Sequence, residues 1–90
     1  MARLTVHVVS PEQDVYSGEA DMVVARGTAG EVGILAGHAP MLVELADAPL
    51  RLFDGDTETR RIEVHGGFLH VTPGEETRVD VLAERAEIAD

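Results

Sequence analysis

The segment LRLFDGDTETRRIEV, residues 50–64, decides the fold class of this chain. Two short runs rich in β-forming residues flank an Asp-Gly turn, and this arrangement is typical of a β-hairpin. Because side chains alternate between the two faces of a strand, Leu50 and Leu52 share one face. Ile62 and Val64 are expected opposite them on the partner strand. The segment therefore predicts an antiparallel hairpin with one apolar face.

The same alternation appears at the start of the chain. In residues 3–9 every second position is apolar, at Leu4, Val6 and Val8. The strand then ends at Ser10-Pro11. Further turn residues, mostly Gly, Asp and Pro, divide the rest of the chain into similar short runs. These runs predict strands near residues 14–17, 20–26, 31–35, 41–46, 50–54, 59–65, 68–72 and 77–83.

Many short strands at close spacing indicate a β-sandwich or a β-barrel. Only the last residues, 82–90, favour a helix, and they are too few to form a stable one alone. The core is expected to consist of the inward positions of the strands. The residues predicted to be largely buried between two sheets are Leu4, Val6, Val8, Val24, Ile34, Leu52, Ile62, Val64, Val79 and Val81.

Composition limits the number of domains and the kinds of partner. Ninety residues suffice for one compact domain. The formal net charge of −10 would repel a phosphate backbone, so nucleic-acid binding is not expected. All basic residues are arginine, and the absence of Lys and Cys excludes Schiff-base chemistry, a P-loop lysine and disulfides. No apolar run approaches the ~18 residues of a membrane span, so we expect a soluble chain without direct membrane insertion.

No residue pattern points to catalysis, to a cofactor or to a metal. The glycines of residues 27–37 match no phosphate-binding motif, and no helix is expected to follow them. The four histidines form no metal-ligating pair, and the paired carboxylates stand in polar turns where they are solvated. Neither Ser10 nor Ser17 stands in a G-x-S-x-G elbow. We therefore predict no catalytic, cofactor-binding or metal-binding residue.

The segment GEVGILAGHAPML, from Gly30 to Leu42, needs a separate explanation. It is too apolar for an ordinary exposed loop and too rich in glycine for a regular strand. One interpretation is a bent core strand that leads into a turn at His38-Ala39-Pro40. The other is a partly exposed apolar surface that docks a partner. Periodicity favours the first interpretation and leaves the second open.

This same segment resembles the G-E-x-G-I-x-P-G-H-A-P-L-L motif of the epsilon subunits of bacterial F-type ATP synthases. VVSPEQDVYSGEA at residues 8–20 is similar to their first strand and the turn after it. HGGFLHV at residues 65–71 and VDVLAERAE at residues 79–87 match the G-G-F/I-L-x-V and V-x-V-L-A-x-x-A-E segments of the family. Together the four matches follow the family order and cover nearly the whole chain.

The resemblance implies an all-β fold, a flattened β-sandwich of about ten short and mostly antiparallel strands. It also implies a non-catalytic rotor subunit that joins the gamma subunit to the c-ring and couples proton flow to ATP synthesis. Such a subunit is peripheral at the cytoplasmic face of the bacterial membrane, monomeric when isolated and free of cofactors. The alternative is an all-β interaction adaptor with a different partner.

The resemblance also implies two interfaces. The gamma interface would comprise Ser10, His38, Met41 and Val43. The interface with the polar loops of the c-ring, which commonly carry arginine in the family, would comprise Gly30, Glu31 and Val32.

Two departures from the family pattern limit these assignments. Ala36 stands where the family usually has proline, which lowers the expected stiffness of the turn before Gly37. Family members usually continue into a C-terminal helical hairpin, whereas this sequence stops at Asp90. We therefore expect a β-sandwich domain over residues 1–84, a short tail over residues 85–90 and no helical hairpin. Nucleotide binding, which the hairpin supports in some members, is not expected.

Overall fold

A computed structural model describes residues 3–89, and every regular element in that range is a β-strand. No helix in this part of the chain is long and apolar enough to cross a membrane. The strands are β1 Leu4–Val9, β2 Asp14–Ala20, β3 Met22–Gly27, β4 Gly30–Leu35, β5 Met41–Glu44, β6 Ala48–Asp54, β7 Thr57–Thr72 and β8 Thr77–Ile88.

The strands form one hydrogen-bonded sheet in the order β2-β1-β8-β7-β6-β3-β4, with β5 paired to β7. The long strands β7 and β8 belong to two halves of this sheet. Residues 77–82 of β8 pair in parallel with β1, and residues 68–71 of β7 pair with β5. Residues 57–64 of β7 instead pair with β6. We call the half with β1, β2 and β5 the β1 layer, and the half with β3, β4 and β6 the β6 layer.

A glycine pair marks the point where β7 passes from one layer to the other. Gly66 and Gly67 have φ angles of 68° and 109°, which side chains rarely adopt. A Cβ atom on Gly67 would also lie 2.1 Å from the carbonyl oxygen of Leu82. Glycine is therefore required at Gly67 for two reasons, the backbone conformation and the close approach of β8.

The predicted hairpin at residues 50–64 is confirmed. Leu50 lies opposite Ile62, and both are almost fully buried. Gly55 forms the turn with a φ of 59°. The all-β, mostly antiparallel sandwich is also confirmed, with eight strands in the described range. The sequence runs predicted nine strands, and the number is eight because the predicted strands at 59–65 and 68–72 are one continuous strand.

Residues 82–88 favour a helix in sequence but were expected to be too few for a stable one, and in the structure they belong to a strand. Strand β8 continues to Ile88, and its last residues pair with the start of β7, as in the pair Val64 and Ala86. The backbone hydrogen bonds to β7 and the burial of Ala83 and Ala86 override the local propensity. The boundary expected at residue 84 falls inside this strand, and Asp90 lies outside the described residues.

The predicted core is confirmed except at Val24. In β3 the buried residues are Val23 and Ala25, while Val24 is half-buried and faces outward. Val23 lies opposite both Leu52 and Ile34, and these partners fix the inward face of β3. Because β3 carries four consecutive apolar residues, its sequence did not distinguish the two faces.

Ion pairs around Arg3 fasten the start of β1 to the hairpin turn of the β6 layer. The Arg3 side chain contacts Asp54 and lies 3.3 Å from a carboxylate oxygen of Asp21. Asp21 in turn accepts a 2.7 Å hydrogen bond from the backbone N–H of Gly55. The two layers are thus connected at this end by side chains as well as by β7 and β8.

Candidate docking surfaces

The structure brings the predicted c-ring residues and two predicted gamma residues into one groove. Gly30, Glu31 and Val32 begin β4, and Met41 and Val43 lie on β5. Together they line an open groove of about 300 Å³ between the β3–β4 turn and β5. Val32, Met41 and Val43 are partly buried and pack against the core, so the floor of the groove is apolar.

This groove exists because the end of β5 is fastened to the β3–β4 turn. The N–H of Thr28 donates a 2.9 Å hydrogen bond to the carbonyl oxygen of Glu44. Gly27 permits this approach, since a Cβ atom there would lie 2.7 Å from Cγ1 of Val43. Strands β4 and β5 belong to different layers, so the groove opens between the layers. The exposed carboxylates of Glu31 and Glu44 line its opening.

Ser10 lies on a different surface, the outer face of the β1 layer. It forms a tight turn with Gln13 through backbone hydrogen bonds of 2.9 and 3.3 Å. Ser10 lines an open recess of about 370 Å³ together with Val9, Phe68 and Leu82. Those three apolar residues are opposite one another on β1, β8 and β7, and we call them the apolar row.

The apolar row is unusually exposed for large side chains. Phe68 is 47 % exposed and Leu82 is 57 % exposed, and the nearby Leu42 on β5 is 67 % exposed. Sequence reasoning missed these three residues, because it assigned none of them to the core or to an interface. The available signal was an apolar residue at an outward position, next to the buried Leu69 and Val81.

His38 is held in place by a buried threonine. The N–H of Gly37 donates a 2.7 Å hydrogen bond to Oγ1 of Thr77, which is only 3 % exposed. The N–H of His38 donates to the carbonyl oxygen of Leu35 at 3.1 Å. Nδ1 of His38 lies 2.8 Å from the carbonyl oxygen of Ala39, so Nδ1 is the donor and Nε2 can accept a bond from a partner.

His38 and Ser10 lie at opposite ends of the β1 layer. His38 lies beside Thr77, the first residue of β8, whereas Ser10 follows the residue paired with Leu82. Five residues of strand separate these positions, or roughly 17 Å at the usual rise of a β-strand. A standard protein interface covers about 800 Å² per partner, which is wide enough to include both ends.

The outer face of the β6 layer carries an arginine and glutamate cluster. Glu58 accepts hydrogen bonds from Nε of Arg51 at 2.8 Å and from Nε of Arg61 at 2.9 Å. These bonds, first that from Arg61 and then that from Arg51, lower the pKa of Glu58 to about 2. The Arg51 guanidinium also lies over the ring of Phe53, 5.0 Å from its centroid.

Within residues 3–89 no group of three His, Asp, Glu or Cys side chains is placed to hold a metal ion. The described surfaces are suited to contacts between proteins, because they combine exposed apolar side chains with polar rims.

Comparison with known proteins assigns a family. Residues 3–89 match the model of the ATP synthase, Delta/Epsilon chain, beta-sandwich domain. The chain is 46 % identical over 89 residues to the ATP synthase epsilon chain of Brevibacillus brevis, covering 98 % of this chain and 64 % of the relative. It is 42 % identical over 89 residues to that of Streptomyces avermitilis, covering 99 % of this chain and 69 % of the relative. The chain thus spans about two thirds of the length of these curated relatives.

Solved structures show the same fold. A chain in the cryo-EM structure of the Euglena gracilis mitochondrial ATP synthase, with OSCP, F1 and c-ring, matches with a TM-score of 0.82 at 23 % identity, covering 98 % of this chain and 54 % of that chain. A chain of the Tetrahymena thermophila mitochondrial ATP synthase central stalk and c-ring matches with a TM-score of 0.66 at 16 % identity, covering 92 % and 64 %. By its matched length and by its identity to the curated relatives, this chain belongs to the β-sandwich family of ATP synthase delta and epsilon chains.

Proposed function

We propose that this chain is a non-catalytic central-stalk subunit of an F-type ATP synthase, which joins the gamma subunit to the c-ring and transmits rotation between them. Its relatives are named ATP synthase epsilon chains, and its structural neighbours occur in ATP synthase assemblies that include a c-ring. In this role the chain is a peripheral component at the cytoplasmic face of a bacterial membrane. It is monomeric when isolated and binds no nucleotide.

The observation that carries this proposal is the exposed apolar row beside Ser10. Large apolar side chains that remain about half exposed on an outward sheet face are typical of a surface that a partner covers. Phe68 and Leu82 provide the buried centre of such an interface, and Ser10 provides a hydroxyl at its edge. We assign this surface to the gamma subunit and extend it along the β1 layer towards His38.

Met41 and Val43 complete the gamma interface from the side of β5. Both are partly buried in the groove, so a gamma side chain could bury the apolar surface that they still expose. Nε2 of His38 offers a hydrogen-bond acceptor at the far end of the same layer. These residues and Ser10 would together orient the domain on the rotor shaft.

The c-ring contact is assigned to the beginning of β4. Gly30, Glu31 and Val32 follow the β3–β4 turn, and the Glu31 carboxylate is exposed. An arginine of a c-ring loop would pair with Glu31 and contribute at most about 1 kcal/mol, because the pair stays partly solvated. We expect Glu31→Arg to reduce ATP synthesis coupled to proton flow in reconstituted vesicles. Unchanged coupling would remove Glu31 from the contact.

The gamma assignment is tested with two substitutions on one strand. Leu82→Glu places a charge in the apolar row and should weaken binding to purified gamma subunit by at least about tenfold. Ile88→Glu is the matched control, because Ile88 is 44 % exposed at the other end of β8 and lies outside the apolar row. Both variants should keep the melting temperature of the unmodified chain. Equal binding by the Leu82 variant and the control would contradict the proposed gamma surface.

A further inference from the structure

The outer face of the β6 layer has the composition of a second docking surface. Its outward residues form two rows across the strands, one with Leu35, Met22 and Phe53, and the other with Gly33, Val24, Arg51 and Arg61. Methionine, phenylalanine and arginine are enriched where proteins meet. We call this surface, together with Arg26, the arginine face.

Gly33 is the first observation that points to a partner. It is exposed within β4, its φ is not positive, and a Cβ atom there would meet nothing within 4 Å. The fold of this chain therefore gives no reason for glycine at this position, although glycine in a strand interior is destabilising. Such a glycine often marks a place where another backbone approaches closely.

The arginines are the second observation, and they define the chemistry of the partner. Arg26, Arg51 and Arg61 line a recess of about 260 Å³ next to Val24, where the only lining carboxylate is that of Glu31. Arg26 has no ion-pair partner among residues 3–89, and Arg51 donates to Glu58 through Nε alone. Arg61 donates to Glu58 through both Nε and Nη2. Free guanidinium nitrogens at a recess are suited to a carboxylate, which they can bind with two parallel hydrogen bonds.

We propose that the arginine face docks an acidic segment of a neighbouring subunit, whose backbone lies against Gly33 and whose carboxylate enters the recess beside Val24. Glu58 holds Arg51 and Arg61 in fixed positions, so little side-chain freedom is lost on binding. Charge complementarity favours this partner, because the recess is lined by three guanidinium groups and one carboxylate, that of Glu31. The contact is separate from the gamma surface and adjoins the c-ring surface, because Glu31 lines the recess as well. It rests on the proposed function only for the identity of the assembly.

The first test uses Gly33→Ala in an ATP synthase complex depleted of its own epsilon chain. The substitution should raise the melting temperature of the isolated chain by a few degrees, because alanine is preferred to glycine in a strand. It should nevertheless weaken binding to the complex by about tenfold, since the new methyl group occupies the space of the partner backbone. Gly74→Ala is the matched control, because a Cβ at Gly74 has only an ordinary contact of 3.7 Å and lies in a distant turn. Unchanged binding of the Gly33 variant would overturn the proposal.

The second test does not depend on the complex. The purified chain is titrated with the peptide Glu-Glu-Leu-Glu-Glu and observed by NMR, with Gln-Gln-Leu-Gln-Gln as the uncharged control. The proposal expects shifts at Val24, Arg26 and Gly33 with the acidic peptide only, and their loss in Arg26→Gln. Absent shifts, or shifts elsewhere, would overturn it. If the unmodified chain fails to bind the complex, the proposed function fails, and this titration still decides whether the arginine face binds acidic segments.

Discussion

The outer faces of the two layers both expose apolar side chains, but the charged residues around these side chains differ. Around the apolar row of the β1 layer, Glu44 lies opposite Phe68, and Glu84 lines the recess of Ser10. Around Val24 and Leu35 of the β6 layer, three arginines line the recess and the rows. The net charge of −10 belongs to the whole chain and therefore describes neither face by itself. The difference teaches that one small domain can present two faces of different charge composition.

The largest effect should come from the core that supports both faces. Ile62 is fully buried, and Ile62→Ala should lower the free energy of unfolding by about 2–5 kcal/mol through the cavity it leaves. Val24→Ala removes side-chain atoms from a half-buried outward position and should cost well under half as much. Urea denaturation of both variants measures the difference. A loss at Ile62 below about 1 kcal/mol would show that the two faces do not share this core.

The next effect concerns the point where β7 connects the layers. Gly67→Ala forces a side chain into a left-handed conformation and against the Leu82 carbonyl, so we expect a loss of about 1–3 kcal/mol. Gly74→Ala should be close to neutral, because Gly74 has no positive φ and no close neighbour. Equal melting temperatures for the two variants would mean that the layers can be joined without the close approach at Gly67.

A smaller effect should separate the two ends of the β1 layer. His38→Asp replaces an imidazole ring, which can both donate and accept a hydrogen bond, with a carboxylate at the end of the layer opposite Ser10. This change should weaken gamma binding by about tenfold without unfolding the domain. Surface plasmon resonance with immobilised gamma subunit measures the affinity, and circular dichroism monitors the fold. Undiminished affinity would restrict the gamma interface to the end that contains the apolar row.

The smallest effect is the acid dependence of the arginine face. The pKa of Glu58 in the folded chain is lowered to about 2, from an ordinary value of 4.5, by its hydrogen bonds to Arg61 and Arg51. Its contribution to stability is therefore present above pH 4.5 and disappears as the pH falls towards 2. In the Glu58→Gln variant the free energy of unfolding should fall less steeply with decreasing pH across this window. The difference should be small, because the Glu58 carboxylate is solvated. An unchanged pH profile, with Glu75→Gln as the control, would show that the cluster does not stabilise the fold.

The alternation of apolar and polar residues predicted those parts of the fold that depend on local sequence. The hairpin at residues 50–64 and the inward positions of β1 were correct because apolar residues recur at every second position there. The face of Val24 was not predictable, because its neighbours are also apolar and only the pairing of Val23 with Leu52 decides it. The strand at residues 82–88 depends on pairing with distant residues of β7, which no local propensity contains.

The candidate surfaces were predictable only in part. Resemblance supplied Ser10, His38, Glu31 and their neighbours, but their grouping depends on how β4, β5 and β8 meet in space. Phe68 and Leu82 were overlooked because their exposure follows from the register of β7 against β8. Exposure is a property of the assembled sheet, and a single sequence shows an outward leucine and an inward leucine alike.

The parallel pairing of β1 with β8 also determines when the domain can fold during synthesis. Val6 lies opposite Val79, so the first strand can complete its hydrogen bonds only after the last strand has left the ribosome. Until then β1 has only its hairpin with β2, and such a two-stranded hairpin is marginally stable in water. Closing a contact of this sequence separation is slow, and the nascent chain exposes one unpaired edge of β1 until β8 has been synthesised. We expect pulse-labelled hydrogen exchange to protect the amides of β6 and β7 before those of β1, and this order makes β1 the segment through which a chaperone would recognise the unfinished chain.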